Sequence, residues 1–549
     1  MEFARRILPR PGLALVGSLV TFFLIVSCRP SVHDNLPPRT GGGAGGMSAG
    51  GVGGNASTTA SGGNTAAGGG GSGGVGGGSG GTLATGGSNT TSSGGSGGVA
   101  GSGGTAGSGG SKGGSGGGSG GSGGSGGGSG GNTTIPDAAV DTVDAPPPPS
   151  RGPTKATTGH NFPFPQNREN SRCVYPTLYR NEDLQAIYTQ WKNDTVTSDG
   201  TSKCASACRR VKRPNEPGLE KNSTVSEGIG YGMLIAVYMD DQALFDDLWR
   251  YEQSWLDGKT GLMNWYINAA GTDLGGNPSG AGPATDADED MAFALLMADK
   301  QWGGKGSLGK NYLDYAKSQM SAIWNNEIYN YIYLRAGPWA DDSNLNLSYF
   351  APSYYKLFAK IDQTPTSNWT KVTDTMYTVL GAALNASNGN QNNGLVPAWC
   401  DSSGKPTGGS SPTNYQYDSC RTPFRIGLDW CLNGDTRAQA YVAKTSSFFS
   451  GTVGGATKIV DGYALNGTPQ AQYQTGANAA IQSAAFVGPA GVGAMSSSTY
   501  QTFVNDAYGV LITGKAIVGG TYYDESWMML SLLMMTANFV DYTTAQPQQ

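Results

Sequence analysis

Three acidic segments hold the side chains with which this chain could do chemistry. In Ser223-Thr224-Val225-Ser226-Glu227-Gly228-Ile229-Gly230-Tyr231-Gly232-Met233, a hydroxyl residue opens a helix, Glu227 occupies its first turn, and alternating glycines strip one face of side chains. Each glycine costs a helix roughly 1 kcal/mol relative to alanine. Something else therefore favours them: close approach of a bulky ligand, or tight packing of another helix with Glu227 as a charge at the positive helix end. In Ala284-Thr285-Asp286-Ala287-Asp288-Glu289-Asp290-Met291 a second helix opens on acids, either as a binding cluster or as a solvated first turn. A calcium loop is excluded there, because the position that needs glycine holds Met291 and the one that needs glutamate holds Met297. In Tyr415 to Arg425, Asp418 and Arg421 stand three apart at a helix entry opened by Pro423. An arginine there lowers the pKa of the carboxyl and keeps it ionised, as a water-activating base requires; a structural ion pair is the alternative.

Other chemistries lack material. The only histidines are His33 and His160, which leaves almost nothing for a Ser-His-Asp triad or a histidine-rich zinc site. Lys+Arg 35 against Asp+Glu 40 gives a net charge of −5 without a basic run, so nucleic acid is not an expected partner. Acid and base work falls to carboxylates. With 11 Trp and 26 Tyr to offer flat faces to sugar rings, paired carboxyls are suited to glycoside hydrolysis: a protonated acid for the leaving oxygen and an ionised base for water.

The elements that must position these groups are helices. Apolar residues recur at helical spacing: Ile229, Met233, Val237; Leu244, Leu248, Tyr251, Trp255; Met291, Leu295, Ala298; Leu313, Ala316, Met320, Ile323; Trp369, Val372, Met376, Val379 and Leu380. Further segments fall near Glu182 to Trp191, Phe350 to Ile361, Pro423 to Cys431, Thr436 to Phe449, Ala477 to Phe486, Tyr500 to Val510 and Tyr523 to Phe539. About twelve helices with no repeat of constant period and connections of unequal length favour a closed all-α toroid of helical hairpins over a solenoid. Loops 263–284 and 388–417, with their aromatic and polar residues, are where a cleft would be built.

Residues 1–28 read as a signal peptide: Arg5, Arg6 and Arg10, an apolar run from Leu13 through Val26 too short to span a membrane with certainty, and Leu24-Ile25-Val26-Ser27-Cys28, which resembles a bacterial lipobox. The chain is thus expected to be exported and held at a membrane by lipid on Cys28, as an outer-membrane or cell-surface lipoprotein, or else secreted. Residues 29–160 hold repeated Gly-Gly-Ser units and then a Pro-rich stretch, expected to be a disordered tether with a reach of very roughly 60 Å. Residues 161–545 remain for one domain, expected to be monomeric. Beyond Cys28 stand six cysteines, Cys173, Cys204, Cys208, Cys400, Cys420 and Cys431; in an exported chain an even number favours disulfides, with fifteen possible pairings. A metal site at Cys204-x3-Cys208 lacks partner ligands.

Taken together, Val225 to Met233, Ala284 to Asp288 continuing through Met297-Ala298-Asp299-Lys300-Gln301-Trp302, Ser348 to Tyr354, and Tyr417 to Arg425 resemble, in their order, glycoside hydrolase family 8. The resemblance covers most of residues 162–539. It implies an (α/α)6 barrel with an open cleft and inversion of configuration, without a cofactor or metal. Position by position, Glu227 matches the general acid and Asp418 the base that activates water. Asp286 resembles the carboxylate that grips the sugar at the cleavage point, with Asp288 in support. Tyr349 matches the tyrosine that holds the attacking water, and Arg421 the arginine that orients base and sugar. Trp265 and Trp339 fall where ring-stacking aromatics stand, and Tyr417 before the base resembles the cellulase-like branch. The implied substrate is β-1,4-glucan, with chitosan or xylan as alternatives; the acids Asp286, Asp288, Glu289 and Asp290 would suit the ammonium groups of chitosan. A surface lipoprotein that binds polysaccharide without cleaving it is the reading from another class. Cys420 and Cys431 depart from the family pattern, and a disulfide there would pin the loop that bears Asp418.

Overall fold

The computed structural model describes residues 152–364, 366–408 and 413–549. The expected signal peptide, the lipid site at Cys28 and nearly all of the tether lie outside the described residues.

Twelve α-helices lie among the described residues: α1 (Asn181–Thr195), α2 (Ser226–Tyr238), α3 (Gln242–Gln253), α4 (Thr285–Gln301), α5 (Tyr312–Glu327), α6 (Pro352–Ile361), α7 (Trp369–Ala383), α8 (Thr422–Asn433), α9 (Thr436–Ser447), α10 (Ala484–Ala494), α11 (Gln501–Leu511) and α12 (Thr521–Met535). They form an (α/α)6 barrel. The even-numbered helices make the inner ring: α2 packs on α4, α6 on α8, α8 on α10, α10 on α12, and α12 closes back on α2. Between α4 and α6 the ring is completed by Phe293 and Tyr354, stacked at 3.9 Å. Each odd-numbered helix backs the ring from outside, α1 on α12, α3 on α2, α5 on α4, α7 on α6, α9 on α8 and α11 on α10.

The two rings differ because only one of them meets water. In α7 the buried side chains Trp369, Val372, Thr373, Met376, Tyr377, Val379, Leu380 and Ala383 form a single stripe, as a helix with one wet face must. Every residue of α2 and of α10 is buried. These two helices have protein on all sides, so their burial follows no stripe. This physics displaced one expected element. The segment near Ala477 to Phe486 supplies only a short turn at Gly476–Asn478, and the helix lies further on at Ala484–Ala494. Gly488, Gly491 and Gly493 look, with Pro489, like breakers, but the missing side chain of the glycines is what close contact with neighbouring helices requires. A Cβ on Gly488 would lie 2.3 Å from Ser531 Oγ, and one on Gly491 2.3 Å from the Met535 methyl.

Short antiparallel ladders fix the chain where it enters the inner helices. Thr224–Val225 pairs with Tyr266–Ile267 just before α2, and Leu345–Asn346 pairs with Trp399–Cys400 ahead of α6. Disulfides join Cys173 to Cys431 and Cys204 to Cys208, while Cys400 and Cys420 are buried free thiols. The expected Cys420–Cys431 pin is therefore absent: Cys431 ties the far end of α8 to the segment before α1. His160 faces Asp240 at 2.8 Å.

Candidate active site

All six inner helices begin at the same end of the barrel, where unpaired N–H groups and positive helix ends collect. Glu227 and Asp286 are the second residues of α2 and α4, Tyr349 ends the turn Leu347–Tyr349 before α6, and Arg421 caps α8. Tyr522 is the second residue of α12. At the same end Ser483, ahead of α10, donates to Asp524 of α12 at 2.6 Å.

Arg421 organises the centre and is fully enclosed. Its Nη1 reaches Glu227 Oε2 at 2.5 Å, Asp286 Oδ2 at 2.7 Å and the Tyr231 hydroxyl at 3.1 Å. Its Nε donates to Ser348 Oγ at 2.9 Å, and its Nη2 faces Asp418 Oδ1 at 3.8 Å. The guanidinium lies 5.1 Å from the centre of the Tyr349 ring. Tyr522 donates its hydroxyl to Glu227 Oε1. Asp418 is held by Gln416, whose amide donates at 3.3 Å and whose carbonyl accepts the Asp418 N–H at 3.0 Å, and the Trp399 side chain adds a small pull towards its ionised form.

One guanidinium thus faces three enclosed carboxyls. Like charges crowded beside a single cation in a site of low dielectric oppose ionisation of Asp286 and Asp418. Burial pushes Asp286 well above the usual carboxylate range; Arg421 opposes the shift, and Glu227 and Asp290 add to it. Burial also raises Asp418, against Arg421, Gln416 and Trp399, with Glu227 adding. The expectation that Arg421 sets a low pKa at Asp418 is thereby corrected: at 3.8 Å it pulls down less than burial pushes up. Of the three carboxyl side chains only Glu227, 4% exposed, and Asp418, 8% exposed, keep contact with solvent; Asp286 has none.

The structure brings Glu227, Asp286, Asp418, Tyr349 and Arg421 together, but separates other expected members. Asp288, two residues beyond Asp286 and so on another side of α4, is fully buried and accepts from Gln319 of α5 at 3.1 Å, beside Glu327 and Glu252. It belongs to the α4–α5 contact and not to the cleft. Glu289 and Asp290 are equally enclosed, and Asp290 pairs with Arg425 at 2.8 Å. None of these acids can meet an ammonium group. Trp265 is 2% exposed with its indole N–H donated to the Ser279 carbonyl at 2.8 Å, so it has no open face for a sugar. Tyr417 is likewise enclosed among Tyr473, Phe486 and Tyr523, its hydroxyl donating to Asp461 at 3.0 Å. Trp339 is 39% exposed and leads inward through Trp399, at 6.3 Å, to Tyr349, 6.4 Å further on.

Sequence reasoning missed Tyr231, Ser348, Trp399, Gln416 and Tyr522. Gln416 was within reach, since a polar side chain two residues from an acid often bonds the intervening backbone. Tyr522 carries no local signal: 295 positions separate it from Glu227, and only ring closure places α12 against α2.

The sequence pattern of glycosyl hydrolases family 8 matches residues 163–537. The chain is 35% identical over 403 residues to "Endoglucanase 2" of Ruminiclostridium josui, covering 72% of this chain and 81% of that one. It is 37% identical over 359 residues to "Endoglucanase A" of Acetivibrio thermocellus, covering 65% and 69%. Its fold is similar to that of the apo β-1,3-1,4-glucanase from Paenibacillus sp. X4, with a TM-score of 0.60 and 30% identity over 69% of this chain and 98% of the other. The chain belongs to glycosyl hydrolase family 8.

Proposed function

We propose that this family 8 hydrolase is an inverting endo-β-1,4-glucanase, with Glu227 as general acid and Asp418 as general base. The observation that carries the reading is the enclosed Arg421 with three carboxyls around it, of which only Glu227 and Asp418 retain solvent contact. Glu227 gives its proton to the glycosidic oxygen as that bond breaks. Asp418 takes a proton from the water that attacks the anomeric carbon on the opposite face. The two carboxyls reach different nitrogens of one guanidinium, which suits a pair separated by a water. Asp286 has no surface to offer a sugar here, and its role is to hold Arg421 and share charge with Glu227. Tyr349, under the guanidinium, lies where it can orient the water.

The endoglucanase relatives support glucan, and the enclosure of Asp288, Glu289 and Asp290 removes the feature that suited chitosan. Export on a lipidated Cys28 completes the proposal, resting on the lipobox-like segment.

Carboxymethylcellulose, barley β-glucan, xylan and chitosan, followed by reducing ends and viscosity together, test the substrate. A rapid viscosity fall confined to the glucans is expected; activity confined to xylan or chitosan refutes the substrate, and silence on all four favours the binding-only reading. Glu227→Gln is expected to lose roughly 10²–10⁴-fold in kcat, the usual scale for a positioned acid, while still binding glucan. Unchanged sugar release would refute the acid assignment.

A further inference from the structure

Ile328–Tyr329 and Tyr333–Leu334 form a hairpin directly after α5. Its turn places Asn330 at φ 49° and Tyr331 at φ 61°. Two consecutive left-handed residues are the signature of a type I′ turn, whose second position asks for glycine. A bulky residue there is an outlier, since its Cβ crowds the backbone. Asn330 fits the first position; Tyr331 does not fit the second. Its ring gains little from packing in return, being 71% exposed, with the tilted Trp324 ring 6.3 Å away between centroids. The turn therefore keeps an aromatic face in water at a conformational cost.

The position of that face is fixed relative to the cleft. At the hairpin base, Thr285, the residue before Asp286, donates its N–H to Ala336 O at 3.2 Å and its hydroxyl to Arg335 O at 2.8 Å. Arg335 then ties both sides together, with Nε donating to Asn326 O at 2.9 Å and Nη1 to Ala340 O at 3.1 Å. The hairpin and the Trp339 loop are thus braced by one side chain on the active-site end of the barrel. Leu178, Leu256, Tyr331 and Trp339 are the large apolar side chains exposed among the described residues. The two aromatics in that set sit eight residues apart on this one brace.

We propose that Tyr331 is an outlying stacking platform for a sugar ring, engaging a β-glucan chain that has already passed Trp339 on its way from the cleft. This rests on the glucan reading above. The platform adds grip on long chains and none on short ones, because an oligosaccharide that fills the cleft ends before it reaches the hairpin.

The test compares the full-length chain with Tyr331→Gly and Tyr331→Phe. Each is run by affinity electrophoresis in barley β-glucan, by KM on that polymer, by kcat/KM on cellotetraose, and by thermal melting. Tyr331→Gly is expected to weaken polymer affinity about three- to tenfold, the scale of one aromatic contact, with cellotetraose turnover unchanged. Its melting temperature is expected to hold or rise, because glycine is what the turn asks for. Tyr331→Phe keeps the face and is expected to bind as the parent does. Polymer affinity unchanged in Tyr331→Gly overturns the proposal, and so does a lowered melting temperature with equal losses on both substrates, which would mark Tyr331 as structural. A parent chain that neither binds nor cleaves β-glucan overturns the glucan reading and this inference with it; a parent that cleaves glucan while Tyr331→Gly is indistinguishable from it removes this inference alone.

Discussion

Replacing Trp399 by phenylalanine isolates one determinant of the base. Trp399 is held in register with Asn346, is 6% exposed, favours the ionised form of Asp418 through its side chain, and stacks edgewise on Tyr349. Phenylalanine keeps an aromatic face towards Tyr349 and deletes the donor. A hydrogen bond to a charged acceptor contributes about 1.5–3 kcal/mol, equivalent to about one to two pKa units; Trp399 is the least of the influences on Asp418, behind burial, Arg421, Gln416 and Glu227, so the lower end, about one unit, is the ceiling. The sign follows from the role. The indole N–H favours the ionised carboxylate, so its loss raises the Asp418 pKa beyond the rise that burial already causes. A base must be ionised to work, so the acidic limb of the kcat/KM–pH profile moves up by at most about one unit, and well below the limb the variant is up to about tenfold slower. On the plateau it matches the parent. The assay is kcat/KM on barley β-glucan at half-unit pH steps, with Trp339→Ala, which touches no carboxyl, as the control whose limb stays in place. A stationary limb, or a uniform fall at every pH, refutes the assignment of Trp399 to the base.

Two further outcomes test how the barrel is held. Glu252, fully enclosed and bonded by Gln253, is pushed up to about 8 by burial; its contribution to stability is present at low pH and lost as pH climbs from the ordinary glutamate value through 8. Glu252→Gln should therefore match the parent at pH 4 and exceed it by up to about 3 kcal/mol at pH 7, measured by urea unfolding at both pH values; an equal difference at the two refutes it. Gly488→Ala should gain roughly 1 kcal/mol from helix propensity yet destabilise overall by about 1–3 kcal/mol, because the new methyl would lie 2.3 Å from Ser531 Oγ and 2.8 Å from Ser531 Cβ. A variant more stable than the parent in the same unfolding assay would show that α10 and α12 have room between them.

The outer ring was the more legible half of the fold. Helices such as α7 carry a one-sided apolar stripe because one side is wet, and that asymmetry is written into neighbouring residues. The fully enclosed α10 carries no such asymmetry, and with its Pro489 and three glycines it was misplaced for that reason. Acids at helix entries were legible too, because Glu227, Asp286 and Asp418 each precede or open a helix whose start signals are local. Which of them touch was not. Asp286 and Asp288 are two apart on one helix and read alike, yet the first meets Arg421 and the second is buried against α5.

By itself, then, the sequence determined the all-helical class, the family, and Glu227, Asp286, Asp418 and Tyr349 among the neighbours of Arg421, since these follow from composition, local spacing and short motifs. Tertiary structure alone decided that one guanidinium serves three acids, that Tyr522 bonds Glu227 and Gln416 bonds Asp418, that Trp265 and Tyr417 are enclosed while Trp339 and Tyr331 stand open, and that burial outweighs Arg421 at Asp418. The physical reason is common to all of these. Desolvation and contact depend on what the other helices bring to the mouth of the ring, and those helices are up to some 300 residues away in the chain.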